Sequence, residues 1–193
     1  MRGQSLLELL IVMALIVTAG AIAVPSISRA VDESRIRGAA FHIAGRLALL
    51  RVQAVRRYSK VALRFTPDGD DYHYQTFGDG DGDGVRSTDI ATGRDPALDA
   101  PDAIGNHFGG ISFGFVTGCP LVDGTAVPGG AAGVRIGSSG LLVFAPSGSA
   151  TPGTLYLKGH IDVAYAIVIL GATGRTRLLR CSAQAGIWTI DGR

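Results

Sequence analysis

From Leu6 to Val24 the residues are nearly all apolar, whereas beyond Pro25 apolar and polar positions interleave with a helical repeat. An uninterrupted apolar run of this length is what a helix needs to cross a bilayer. Arg2 stands before it and marks the cytoplasmic side. An ordinary secretory signal has a shorter apolar core followed by a small-x-small cleavage site. Here the run reaches Pro25 without one and continues into the next pattern. Ile36, Ala40, Ile43, Leu47, Leu50 and Ala54 recur at alternating fours and threes, one face of a helix. Ser28, Arg35, His42, Arg46, Gln53 and Arg57 form a neighbouring polar stripe. The spacing predicts one long helix, apolar over residues 4–25 and amphipathic over 26–60. A lone mid-helix histidine such as His42 reads as a surface or packing residue.

After residue 60 the period changes to two. "VALRFTP" places Val61, Leu63 and Phe65 on one face, and "DYHYQTF" follows the turn Pro67–Asp70, which predicts a hairpin. Residues 78–110 read as a long acidic, glycine-rich loop. Extended structure resumes in "GISFGFV", and after a turn region come "GVRIGSSGLLVFAPSG", "TLYLKG", "AYAIVIL", "TRLLRC" and "GIWTI". Short strands separated by turns and a long helix predict an α+β domain, an antiparallel sheet packed on the helix, with residues 61–193 as one β-rich unit.

Charge is segregated in a way that the net value of +2 conceals. Residues 29–60 carry eight basic and two acidic side chains; residues 68–102 carry ten aspartates against Arg86 and Arg94; residues 135–193 carry six basic and two acidic. Such blocks point to surface partners or ions rather than to fold. Cys119 and Cys181 are the two cysteines. In an exported domain they are a candidate bridge, a free pair being the alternative.

A carboxylate inside an apolar helix is expensive and usually functional, so Glu8 needs a reason. The short basic leader, Gly3, and then Gln4-Ser5-Leu6-Leu7-Glu8 resemble the class III signal of type IV pilins and pseudopilins. The resemblance implies a leader peptide of residues 1–3, cut by a prepilin peptidase between Gly3 and Gln4, with methylation of the new N-terminus. It also implies that Glu8 pairs with a neighbouring subunit's N-terminal amine during assembly. Pro25 lies where many members carry a helix-loosening proline. Gln4 departs from the usual Phe or Met. The implied fold is type IV pilin-like, with a single-pass inner-membrane helix and a periplasmic domain. The implied partners are other pilins or pseudopilins, the peptidase and an inner-membrane assembly platform.

Further along, "GLLVFAPSGSATPGTLYL" and "AYAIVILGATGRTRLLRC" are similar to the GspH/FimT branch of minor pseudopilins, which ends in a strand, an F-x-P-x-G turn, another strand and a hairpin with G-R-x-R. The branch implies a minor subunit of a type II secretion pseudopilus or type IV pilus, at or near its tip. In FimT-like members the G-R-x-R is implicated in DNA binding, so a DNA-uptake subunit is the alternative. Here Gly171–Gly174 reads as the turn, Arg175 and Arg177 share one face of the following strand, and Arg180 faces the other way while adding to the local field. Two arginines so placed suit phosphate contact.

No enzyme is legible. His42, His73, His107 and His160 are scattered and lack the partners of a nucleophile–base–acid set. The glycines of residues 78–84 alternate with aspartates, which repel phosphate. That segment instead resembles the start of a calcium loop: Asp79, Asp81 and Asp83 at alternate positions, then Gly84, with a carbonyl from Val85 and an oxygen from Ser87. Ile90 occupies the position of the closing acid, with Asp89 one residue early, so a calcium ion held here is weakly bound or differently closed. A merely solvated acidic loop is the alternative.

Overall fold

One helix, α1, runs unbroken from Leu6 to Arg57 through Pro25 in the computed structural model, which describes residues 5–130, 132–137 and 139–191, without the side chains of residues 20–25. Among the described residues no helix is long and apolar enough to cross a membrane. The apolar run expected to span lies partly in the undescribed side chains, and Gly3 and Gln4 lie outside the described residues. The helix stops three residues short of the expected 60. Arg56 and Arg57 sit in its last turn, where cations suit the negative end of the helix dipole, and Tyr58 takes a left-handed φ of 51° that turns the chain away.

The chain then forms β1 (Val61–Asp68), β2 (Asp71–Gly78), the short helix α2 (Ser87–Thr92), β3 (Asp102–Ala103), α3 (Ile104–His107) and β4 (Ser112–Phe113). It continues through β5 (Val134–Ile136), β6 (Leu141–Phe144), β7 (Gly153–Lys158), β8 (Val163–Leu170), β9 (Arg175–Ser182) and β10 (Ile187–Ile190). All pairings are antiparallel, but the strands form two sheets where one was expected. A four-stranded sheet has the order β3-β2-β1-β6, and a six-stranded sheet the order β10-β9-β8-β7-β4, with β5 also on β7. The chain passes to the second sheet for β4 and β5, returns for β6, and crosses for the last time at the Phe144–Gly148 turn. Its backbone bonds, Ala145 N–H to Ser149 O and Gly148 N–H to Ala145 O (both 2.9 Å), close a tight loop between β6, which pairs with β1, and β7, which pairs with β8.

The amphipathic half of α1 lies across both sheets. Ile36, Ala40, Ile43, Leu47, Leu50 and Ala54 are buried as their spacing requires, together with Ala39. They join Val61, Leu63, Phe65, Tyr74 and Phe144 of the first sheet and Leu155, Leu157, Tyr165 and Ile167 of the second in one core. Strand alternation sends the intervening residues outward into smaller clusters, such as Ala62 with Phe77, Val85 and Leu141. Cys119 and Cys181 are joined by a disulfide, tying the irregular stretch after β4 to β9. Closing a loop over a sequence separation of 62 stabilises by about 4 kcal/mol in the chain-entropy account.

The expected acidic loop of residues 78–110 contains α2, β3 and α3. Outside the short pairing of β3 with β2, much of its backbone is held by carboxylates. Buried Asp95 accepts from Gly80 N–H (3.1 Å) and Arg86 N–H (2.9 Å), and Asp99 accepts from Thr76 N–H (2.7 Å) and the Thr76 hydroxyl (2.6 Å). Gly80 is required there, since a Cβ would lie 1.9 Å from Arg94 O. Part of the charge segregation is therefore used within the fold. Arg46 on α1 meets Asp99 at 2.5 Å and stacks over Tyr74 at 4.9 Å, so the basic helix grips the acidic segment.

Candidate functional site

The first surface of interest is the bare half of α1. Leu6, Leu10, Leu15 and Val17 are 80, 61, 64 and 69% exposed, and no other part of the described chain covers them. An apolar patch of this extent marks a protein or membrane contact. Glu8 is exposed in the first turn, near the positive end of the helix dipole, which favours a carboxylate. A second apolar stripe, not read from the sequence, continues along the amphipathic half: Phe41, Leu49, Val52 and Val55 are exposed.

The arginine hairpin is the second surface. The turn between β8 and β9 is closed by Gly174, with φ 58° and its N–H donating to Leu170 O at 2.8 Å. A Cβ on Gly174 would meet Gly148 O at 2.4 Å, so both the dihedral and the close approach demand glycine. Arg175 and Arg177 are exposed and have no ion pair among the described residues. They line a cleft of about 500 Å³ together with Arg51 of α1, whose Nε donates to Gly148 O at 3.2 Å. Arg51 escaped the sequence reading because only the fold brings it there. Arg180 does not join them: its Nε and Nη2 donate to Glu33 of α1 at 3.0 and 2.6 Å. Its charge is neutralised, which corrects the expectation that it adds to the field at the hairpin.

In the acidic segment the carboxylates of Asp79, Asp81 and Asp83 gather within 4.8 Å of one another. Asp79 accepts from Gly82 N–H at 2.7 Å, Asp81 from Asp83 N–H at 3.3 Å, and Asp83 pairs with Arg86 at 2.5 Å. The Asp83 N–H bond holds the Asp81 carboxyl below its ordinary value; desolvation and the neighbouring Asp81 raise that of Asp83. Asp89 is not in the gathered group. It is buried in α2, 3.8 Å from Arg94, with one oxygen lacking a hydrogen-bond partner among the described residues. The Val85 side chain is buried and Ser87 begins α2.

A third constellation was read from the sequence only as scattered histidines. His42, Asp102 and His107 bring one ligand-capable atom each within 4.8 Å. His107 Nε2 lies 2.8 Å from Asp102 Oδ2, and the rings of His42 and His107 have centroids 4.9 Å apart. Burial, then the nearby His107, lowers the His42 pKa. Burial works to raise that of Asp102, but hydrogen bonds from His107, Asn106 and the Ala103 N–H hold it below its ordinary value.

A long helix with an uncovered apolar end, whose other half packs one face on two antiparallel sheets, is an α+β arrangement of the pilin-like kind. The family described as type II transport protein GspH matches residues 39–174, and the chain belongs to that family. Over 55 residues it is 44% identical to the type II secretion system protein H of Xanthomonas campestris pv. campestris. That match covers 28% of this chain and 32% of the relative, so the chain spans about a third of the relative's length. No solved structure matches the chain. The family match takes in α1 from Ala39 onward, the whole four-stranded sheet, and β4, β5, β7 and β8 of the other, and stops just before Arg175.

Proposed function

We propose that the chain is a minor pseudopilin, a structural subunit of a type II secretion pseudopilus or a related type IV pilus, set at or near the tip. The observation that carries this is the division of α1 into a half that buries one apolar face against two sheets and a half with its apolar side chains bare. In this reading residues 4–25 sit in the inner membrane before assembly, with the domain in the periplasm. Prepilin peptidase cuts between Gly3 and Gln4, and the inner-membrane assembly platform takes up the processed chain. The bare helix then moves from lipid into a bundle of the same helices from neighbouring pseudopilins, and Glu8 neutralises a neighbour's N-terminal amine. A buried charge needs such a partner, since losing it costs about 3–5 kcal/mol. The test is the intact mass of the chain after co-expression with a prepilin peptidase. Loss of residues 1–3 supports the reading; an unprocessed N-terminus reduces the helix to a plain anchor.

A second reading adds DNA uptake to the same subunit, and the observation favouring it is Arg51. Three guanidiniums with no ion pair among the described residues, Arg51, Arg175 and Arg177, surround one cleft and make a better phosphate surface than the hairpin alone. Binding through such contacts is independent of sequence and falls steeply with salt. Calcium at Asp79, Asp81 and Asp83 is a further proposal. The three carboxylates fit a hard cation, but Asp89 stands apart and Arg86 occupies Asp83, so the site is a weak one.

A further inference from the structure

The His42–His107–Asp102 constellation differs in kind from the acidic segment. It offers two imidazoles and one carboxylate from two distant stretches of chain, α1 and the β3–α3 segment. His42 Nε2 is buried and has no hydrogen-bond partner among the described residues. A buried polar atom without a partner is rare in a native fold and needs an explanation. Two nitrogens and one carboxylate oxygen with an open fourth position is a donor set for a first-row divalent transition metal, whereas calcium wants oxygens alone. We propose that His42, His107 and Asp102 bind a divalent transition-metal ion, of which Zn²⁺ is the type, clipping the β3–α3 segment onto α1.

The present geometry is close to what such an ion requires. Metal–ligand distances of roughly 2.0–2.2 Å set tetrahedral donors about 3.3 Å apart. His107 and Asp102, now 2.8 Å apart, would open slightly, and His42 would close in from within 4.8 Å. His107 sits on the four-residue α3 with a side chain 44% exposed, so it can move without disturbing the core. Shifting the His107 ring proton from Nε2 to Nδ1 frees the Nε2 lone pair for the metal. Asp102 remains oriented through its other oxygen, which accepts from Ala103 N–H at 2.8 Å and Asn106 Nδ2 at 3.3 Å. Arg46 stands 3.9 Å from Asp102 and opposes a cation, but Asp99 at 2.5 Å already neutralises that guanidinium. Without metal, His42 is a packing residue beside a His107–Asp102 pair and its Nε2 is left unexplained.

The test uses the untagged full-length protein in detergent, stripped by a chelator and titrated with Co²⁺, whose visible ligand-field bands report tetrahedral nitrogen and oxygen ligation. The expected result is a saturating spectrum near one equivalent, bleached by Zn²⁺ and unaffected by Ca²⁺. His107→Ala should weaken Co²⁺ by at least about tenfold, while His160→Ala leaves it unchanged. Imidazole nitrogen chemical shifts give a readout that does not need a variant: Zn²⁺ should move the resonances of His42 and His107 and spare those of His73 and His160. Absence of the Co²⁺ spectrum, or full affinity in His107→Ala, or Zn²⁺ shifts at His73 and His160 instead, would overturn the proposal.

Discussion

Leu47 and Leu49 lie two residues apart on α1 and face opposite worlds, the first fully buried and the second 65% exposed. Leu47→Ala removes a side chain from the layer between the helix and the sheets, where Ile43, Leu63 and Ile167 belong to the same core. Loss of burial together with the cavity left behind costs about 3–4 kcal/mol. For a domain of this size each kcal/mol moves the midpoint by roughly 2–4 °C, so Tm should fall by about 6–16 °C. Leu49→Ala removes nothing from the core and should stay within about 0.5 kcal/mol of the parent. Trp188, the single tryptophan, reports unfolding of the domain in the full-length protein in detergent, because its Nε1 donates to Pro120 O at 2.8 Å and its ring packs on Tyr156. If the exposed stripe is a subunit interface, Leu49→Ala keeps its Tm yet enters filaments poorly. Equal loss of Tm in both variants, or a loss under about 1 kcal/mol in Leu47→Ala, refutes this division of the helix.

For the arginine cleft, changing Arg51, Arg175 and Arg177 together to Gln should weaken retention of random duplex DNA in a gel shift at low salt, each lost phosphate contact reducing the salt slope by about 1. Arg180→Gln should leave DNA binding nearly intact, because that guanidinium is committed to Glu33; a loss equal to that of the triple variant would mean the cleft is misassigned. For the acidic segment, calcium in about hundredfold excess over its dissociation constant should stabilise by roughly 2.7 kcal/mol in a calorimetric scan. Asp81→Ala with Asp83→Ala should erase that gain. Identical scans of the parent with calcium and with chelator would leave a plain loop.

What the sequence disclosed was mostly local. The stripe from Ile36 to Ala54 is legible because burial repeats every three or four residues on one helix face, and the hairpin at Gly171–Gly174 because glycines punctuate a continuous apolar run and the strand after it. Whether the strands make one sheet or two depends on pairing choices far along the chain, such as β6 with β1, and no local pattern records them. The same applies to charge. Arg46 with Asp99, and Arg180 with Glu33, are separated by 53 and 147 residues, so blocks that read as surface features are partly internal. Asp102 and His107 stand five apart and hint at a pair, but nothing in the sequence places His42 beside them. Arg51 reads as one more polar position on a helix, and only the meeting of α1 with the β8–β9 turn puts it in the cleft.

The central claim is that the bare helix is an assembly element and that Glu8 is the charge that makes assembly work. Its most direct test compares the parent chain with Glu8→Ala in cells producing the other pseudopilins, by immunoblot of sheared filaments against the membrane fraction. The account predicts that both proteins are found in the membrane, processed and equally abundant, while Glu8→Ala is strongly depleted from filaments. Equal incorporation of the two proteins would contradict it.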